Sequence, residues 1–427
     1  MYLRFACFIA TLACAPAAGA AEATTYAGTI GTLPVIVELT DAAADGRFVG
    51  RYAYLSRGVD IPLHGMTIDK AGSLRVEEEQ PCTETLCKTA AGEVAETAPI
   101  AAEWTLARDG TALTGTWRDR QNGKSLAVRL QRKAARVLSE DGMQGLERLD
   151  PSSVYGEGTP AVYTPEMLPY DFLKLEWPLK PGSVTTIGKT AYRMDLDKRT
   201  GLSYPVVLAL DGTDPAPLNA YLKQQRLQFN QSSFSCLGRA YLGFGWIGMG
   251  GGGTNGYDDG GAAEVAVEHF SPRLMGIVES GSYFCGGAHP SNFSDHRLVD
   301  AQTGKALVAE ELLAGWVWRD AEGAVVDPSS VEDPSSLTRG PDDGLAKFVA
   351  EHLDPTIDAE TKTDCGMDEL IRTNLAVYFT RTDMVFTFQG LPHVIFACTT
   401  DLAKVPLKDA RPFLTNAGAR YFAVLDR

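Results

Sequence analysis

The residues best placed for chemistry gather in one short run, Cys285-Gly286-Gly287-Ala288-His289-Pro290. Two glycines ahead of a histidine let the backbone take positive φ or approach a ligand closely, and turns of this kind often carry binding residues. Tyr283 and Asn292 flank the run and add an aromatic face and an amide, so Tyr283, Gly286, Gly287, His289 and Asn292 form a candidate ligand-binding set. As a general base, His289 would need an orienting acid, for which Glu279 or Asp295 is available. As a metal ligand it would join Asp295 and His296. The plainest reading is a disulfide-tethered turn whose histidine bonds backbone. No metal and no cofactor is expected.

Other patterns carry less. Gly243 to Gly248 matches the spacing of a dinucleotide fingerprint, but the fingerprint requires a helix to follow, and here Gly250 to Gly253 follow instead. Each glycine costs a helix about 1 kcal/mol against alanine, so a loop is expected, with Phe244, Trp246 and Tyr257 as exposed aromatics able to stack on a ligand. The sequence holds no Gly-x-Ser-x-Gly, Ser-x-x-Lys or His-Glu-x-x-His pattern. His352 lies on an apolar helical stripe and His269 alternates with Val265 and Val267 along a strand, so both read as structural.

The N-terminus reads as an export leader. Arg4 precedes the apolar stretch Phe5 to Ala15, and Ala18-Gly19-Ala20 is a small-residue cleavage pattern, so residues 1–21 are expected to be removed. A spanning helix needs about 20 apolar residues, and Pro16 stops this run short. Leu12-Ala13-Cys14 has Thr11 where a lipidation signal carries a large aliphatic residue, which argues against a lipid anchor. The expected location is the periplasm or the exterior. Beyond the leader stand Cys82, Cys87, Cys236, Cys285, Cys365 and Cys398, an even set with 15 connectivities. Disulfides are the expected state in an oxidising compartment, and chain order favours joining neighbours along the sequence.

Organisation follows from periodicity. Residues 22–137 read as a meander of about eight short strands with turns at Asp45-Gly46, Asp109-Gly110 and Asn122-Gly123, an all-β domain that a small barrel would close. Residues 138–185, rich in proline, read as a linker or irregular arm. Residues 186–427 read as an α+β domain with an antiparallel sheet and a few helices. Helices are expected after Asp214-Pro215 and over Leu345 to Leu353, and hairpins at Glu264–Phe284 and Ala376–Gln389. With 39 basic against 54 acidic residues, a net charge of -15, nucleic acid is an unfavourable partner.

The runs Ser271-Pro272-Arg273-Leu274, Ser280 to Pro290, Asp300 to Lys305, Glu310 to Leu313, Thr382 to Phe386 and Val405-Pro406-Leu407 resemble the α+β domain shared by RsiV-like anti-sigma factors and PdaC-like peptidoglycan deacetylases, over about residues 186–415. The resemblance implies an extracytoplasmic, wall-associated binding module; in RsiV-like proteins this domain binds lysozyme. The deacetylase Thr-Phe-Asp-Asp and His-x-x-x-His patterns are missing, so that activity does not carry over. The expectation is an exported envelope binding protein recognising a lysozyme-like hydrolase or wall glycan. An enzyme using His289 and a structural envelope protein are the alternatives.

Overall fold

The computed structural model describes residues 21–69, 72–138, 144–156, 159–246, 263–286, 290–331 and 333–422. Eight strands run up and down around a closed barrel: β1 (Glu22–Ile30), β2 (Leu33–Thr40), β3 (Arg47–Tyr54), β4 (Ile61–Thr67), β5 (Leu74–Glu79), β6 (Ile100–Asp109), β7 (Ala112–Asp119) and β8 (Ser125–Val137). β8 pairs back onto β1, with Ile30 opposite Val128, which leaves the sheet no bare edge. The strand hardest to read from sequence is β4, because Pro62 and Gly65 both argue against a strand. Gly65 stands opposite Phe48, and a Cβ there would lie 2.1 Å from the Phe48 ring. The glycine makes room for that ring.

Inward positions fill the barrel, as eight strands leave space for side chains rather than a channel. Val37, Tyr52, Leu63, Val76, Trp104, Leu113 and Val128 form the packed interior. One carboxylate lies among them. Glu78 accepts from Trp104 Nε1 at 3.0 Å and from Trp117 Nε1 at 2.8 Å.

Outward positions on β2, β3 and β8 are also buried, because the short helix Pro169–Leu175 lies over them. Its Tyr170 packs on Ile36 and Ala53. Beside that contact Arg51 bridges Glu38 at 2.8 Å and Asp171 at 2.8 Å, Arg136 bridges Glu38 at 2.8 Å, and Lys174 bridges Asp60 at 2.8 Å. Three carboxylates and three cations balance. Much of the expected linker is thus packed onto the barrel, and Leu146 and Leu149 add a small apolar cluster with Ala23 and Leu138.

The rest of the chain is α+β. A three-stranded sheet comes first, β9 (Val184–Ile187), β10 (Thr190–Leu196) and β11 (Ser203–Leu210), in the order β11-β10-β9. A four-stranded antiparallel sheet follows, β12 (Glu264–Phe270), β13 (Leu274–Tyr283), β14 (Ser291–Asp300) and β15 (Ala306–Leu307). Small sheets complete it: β16 (Trp316–Arg319), β17 (Val325–Val326) and β18 (Thr338–Pro341), then β19 (Leu375–Phe379), β20 (Asp383–Phe388) and β21 (Asp401–Pro406). Both expected hairpins are present as β12–β13 and β19–β20.

The helix expected after Asp214-Pro215, on the helical spacing of Leu218, Tyr221, Leu222 and Phe229, is Ala216–Gly238 and runs well beyond that stripe. Its last turns are polar, so apolar periodicity does not announce them. Those polar residues have partners in neighbouring segments: Asn230 donates to Asp197 at 3.1 Å and accepts from Thr200 at 2.9 Å, and Gln228 donates to the Ala161 carbonyl at 2.9 Å. Phe234 on this helix meets the barrel at Gly58, where a Cβ would lie 2.4 Å from its ring. Helix Asp343–Glu351 buries Leu345 and Val349 as expected but ends one residue before His352.

Candidate functional site

The expected binding run lies between β13 and β14, which pair in register from Leu274 opposite Asp300 to Tyr283 opposite Ser291. Cys285 leaves β13 and is bonded to Cys236 on the long helix, so the chain just after β13 is clamped to the domain. Gly286 has φ of 92°, a conformation that suits glycine. Gly287, His289 and Tyr257 lie outside the described residues. Tyr283 is half-buried, its ring 6.0 Å from that of Phe293.

Asn292 lies on β14, and its Nδ2 donates to His393 Nδ1 at 2.9 Å. His393 opens the segment His393–Cys398, whose far end is bonded to Cys365. Two of the three disulfides therefore fasten the two segments that meet at Asn292 and His393. Val394, next along, is 82% exposed. His393 and Val394 carried no sequence signal, since their proximity to Asn292 arises from chain segments about one hundred residues apart.

Two expectations are corrected. Trp246 was expected as an exposed stacking residue, but it is 3% exposed and so belongs to the core. His352 was expected on the buried stripe, but it is exposed at the helix end, its ring stacked on Phe348 and its Nδ1 donating to the Phe348 carbonyl at 2.8 Å. His269 is buried as expected, with Nδ1 donating to the Thr380 carbonyl at 2.8 Å, and burial holds its pKa below the usual histidine value.

Glu279, one of the two acids expected to orient a catalytic histidine, is differently employed. Glu279 is buried, accepts from the Tyr204 hydroxyl and pairs with Arg297 Nε at 2.9 Å. Burial raises the Tyr204 pKa far above its usual value, so the phenol stays a donor. His296 donates to Glu268 at 2.9 Å and stacks on Tyr378 at 4.1 Å. Among the described residues no group of three or more His, Cys, Asp or Glu side chains is placed to hold a metal ion.

Charge is unevenly spread. Residues 22–138 hold 14 basic and 15 acidic residues, whereas residues 320–369 alone hold 3 basic and 14 acidic. Some of these acids cap helices, as Asp342 does for Leu345 N and Asp358 for Thr361 N. Others, including Glu360, Asp364, Asp368 and Glu369, are exposed and lie next to Cys365, hence next to the His393–Cys398 segment bonded to it.

Cys82–Cys87, Cys236–Cys285 and Cys365–Cys398 are all joined, which fits an extracellular, oxidising compartment. No helix among the described residues is long and apolar enough to cross a membrane. No protein-family model matches the chain, and no curated protein is significantly similar to it. The class is therefore defined by architecture alone: a disulfide-bonded, two-part protein of a closed eight-stranded barrel and an α+β domain.

Proposed function

We propose that the protein is an exported binding protein of the cell envelope, periplasmic once its leader is removed, whose α+β domain engages a basic, lysozyme-type hydrolase. The observation that carries this reading is the concentration of 14 acidic residues within residues 320–369, against 3 basic ones, on the lobe that Cys365–Cys398 ties to the Asn292–His393 contact. A negative lobe speeds encounter with a cationic partner, and a clamped edge with exposed Val394 supplies a preorganised apolar contact.

The test is titration of lysozyme into the purified protein, disulfides intact, at low and moderate salt, with lytic activity read in the same samples. The expected result is binding that weakens with salt and inhibits lysis. Asn292→Ala and the triple change Asp364→Lys, Asp368→Lys, Glu369→Lys should each lower affinity with the melting midpoint retained. Absence of binding at tens of micromolar and low salt removes this reading.

A further inference from the structure

A cavity of about 600 Å³ lies where the barrel, the packed arm and the end of the long helix meet, and neither the turn at Gly286 nor the acidic lobe borders it. That volume is in the range of small-molecule sites, which favour junctions of this kind. Its walls come from three parts of the chain: Arg51 and Asp60 of the barrel, Asp150 of the arm, and Gln231, Phe234 and Arg239 at the helix end.

The lining is rich in acceptors. Gln231 is 5% exposed; its Nε2 donates to Ser235 Oγ at 3.1 Å, while its Oε1 has no hydrogen-bond partner among the described residues. A buried carbonyl without a donor is a costly state that a ligand hydroxyl or amide would relieve. Glu147 and Asp150 add carboxylates, Asp60 being already held by Tyr170, Lys174 and Arg51, and the cavity sits at the C-terminal, electronegative end of the helix Ala216–Gly238. An anionic ligand is disfavoured there. A strongly cationic one is disfavoured too, because Arg51 and Arg239 share the same walls. The half-buried ring of Phe244 supplies an apolar face, and Phe234 closes the wall from the core.

We infer that this cavity binds a neutral, hydroxyl-rich ligand, a saccharide of one or two rings. Acceptors for hydroxyl donors, an aromatic face for the C–H side of a sugar, and a wall of mixed charge, Arg51 and Arg239 with Asp60, Glu147 and Asp150, together describe that class. The inference is independent of hydrolase binding, which uses the opposite features of the α+β domain.

Calorimetric titration of the full chain with chitobiose and with cellobiose tests it, with glucuronic acid as the anionic comparison. Binding of at least one disaccharide, stronger than that of glucuronic acid, is expected. Gln231→Leu should weaken it by about tenfold or more. Ser235 also lines the cavity and is exposed, so Ser235→Trp fills the space; it also removes the hydroxyl that accepts from Gln231, and it should abolish binding with the circular dichroism spectrum unchanged. His393→Ala should leave sugar binding unchanged. Silence from both disaccharides at millimolar concentration, or binding that survives Ser235→Trp, overturns the assignment. If Gln231→Leu does not fold, Ser235→Trp alone decides.

Discussion

Arg51 on the barrel bridges Asp171 on the arm helix at 2.8 Å, and the two side chains are only 4% and 0% exposed. This contact joins a domain that is readable as strands to a segment readable only as irregular. Because both ions are out of water, removing one strands the other. Arg51→Met should therefore lower unfolding free energy by about 3 to 5 kcal/mol. The exposed pair of Arg75 with Glu103 is the control, where Arg75→Ala should change stability by less than about 1 kcal/mol. Urea unfolding of both variants at neutral pH measures the contrast, and equal effects would show that the junction is solvated.

Glu78 inside the barrel carries a second prediction. Burial raises its pKa above the ordinary value of 4.5, partly offset by the hydrogen bonds from Trp117 and Trp104. A carboxyl with a raised folded pKa binds its proton more tightly folded than unfolded, so stability falls as pH rises from 4.5 through the folded value. Glu78→Gln should remove that decline. The stability difference between variant and native protein should move in the variant's favour across this window and level off above it. Tryptophan fluorescence should report the same titration in the native protein, since both indoles donate to the carboxylate.

His269 acts in the other direction. Its folded pKa is lowered by burial, with the Thr380 carbonyl opposing, so the neutral ring is the stable form inside. Its contribution is present above the unfolded value near 6.5 and is lost as pH falls through the folded pKa. His269→Gln should show a shallower loss of stability below that point than the native protein. An identical acid profile for the two would place the acid sensitivity elsewhere.

The disulfides should differ in worth according to the chain they close. Cys236–Cys285 spans 49 residues and Cys82–Cys87 spans 5. Loop-closure entropy gives about 4 kcal/mol for the first and about 2 kcal/mol for the second. Paired cysteine-to-serine variants, unfolded in denaturant, should keep that order. The Cys236→Ser, Cys285→Ser pair should also lower hydrolase affinity, because it frees the chain just after β13, which precedes Asn292.

What was legible in the sequence follows a clear physical line. Alternation and turn residues mark β2, β3 and β6 to β8, since a half-buried strand must alternate and its turns need glycine or asparagine. β4 was hidden because Gly65 serves the Phe48 ring rather than its own propensity. The end of the long helix is hidden because it carries buried polar residues such as Asn230, whose partners Asp197 and Thr200 lie some thirty residues earlier in the chain. Trp246 was misplaced for the same reason, as a loop aromatic beside a glycine run gives no sign of which way the chain folds back.

By itself the sequence determined the two-part organisation, the even set of cysteines and the antiparallel hairpins, because each depends on composition or on residues close together in the chain. It also named Asn292 as a residue worth watching. Only the tertiary structure decided that Asn292 meets His393, that Glu279 is held by Tyr204 and Arg297, and that Arg51 reaches Asp171. The contacts of Asn292 with His393, Glu279 with Tyr204 and Arg51 with Asp171 join segments 75 or more residues apart, which no local pattern of residues encodes.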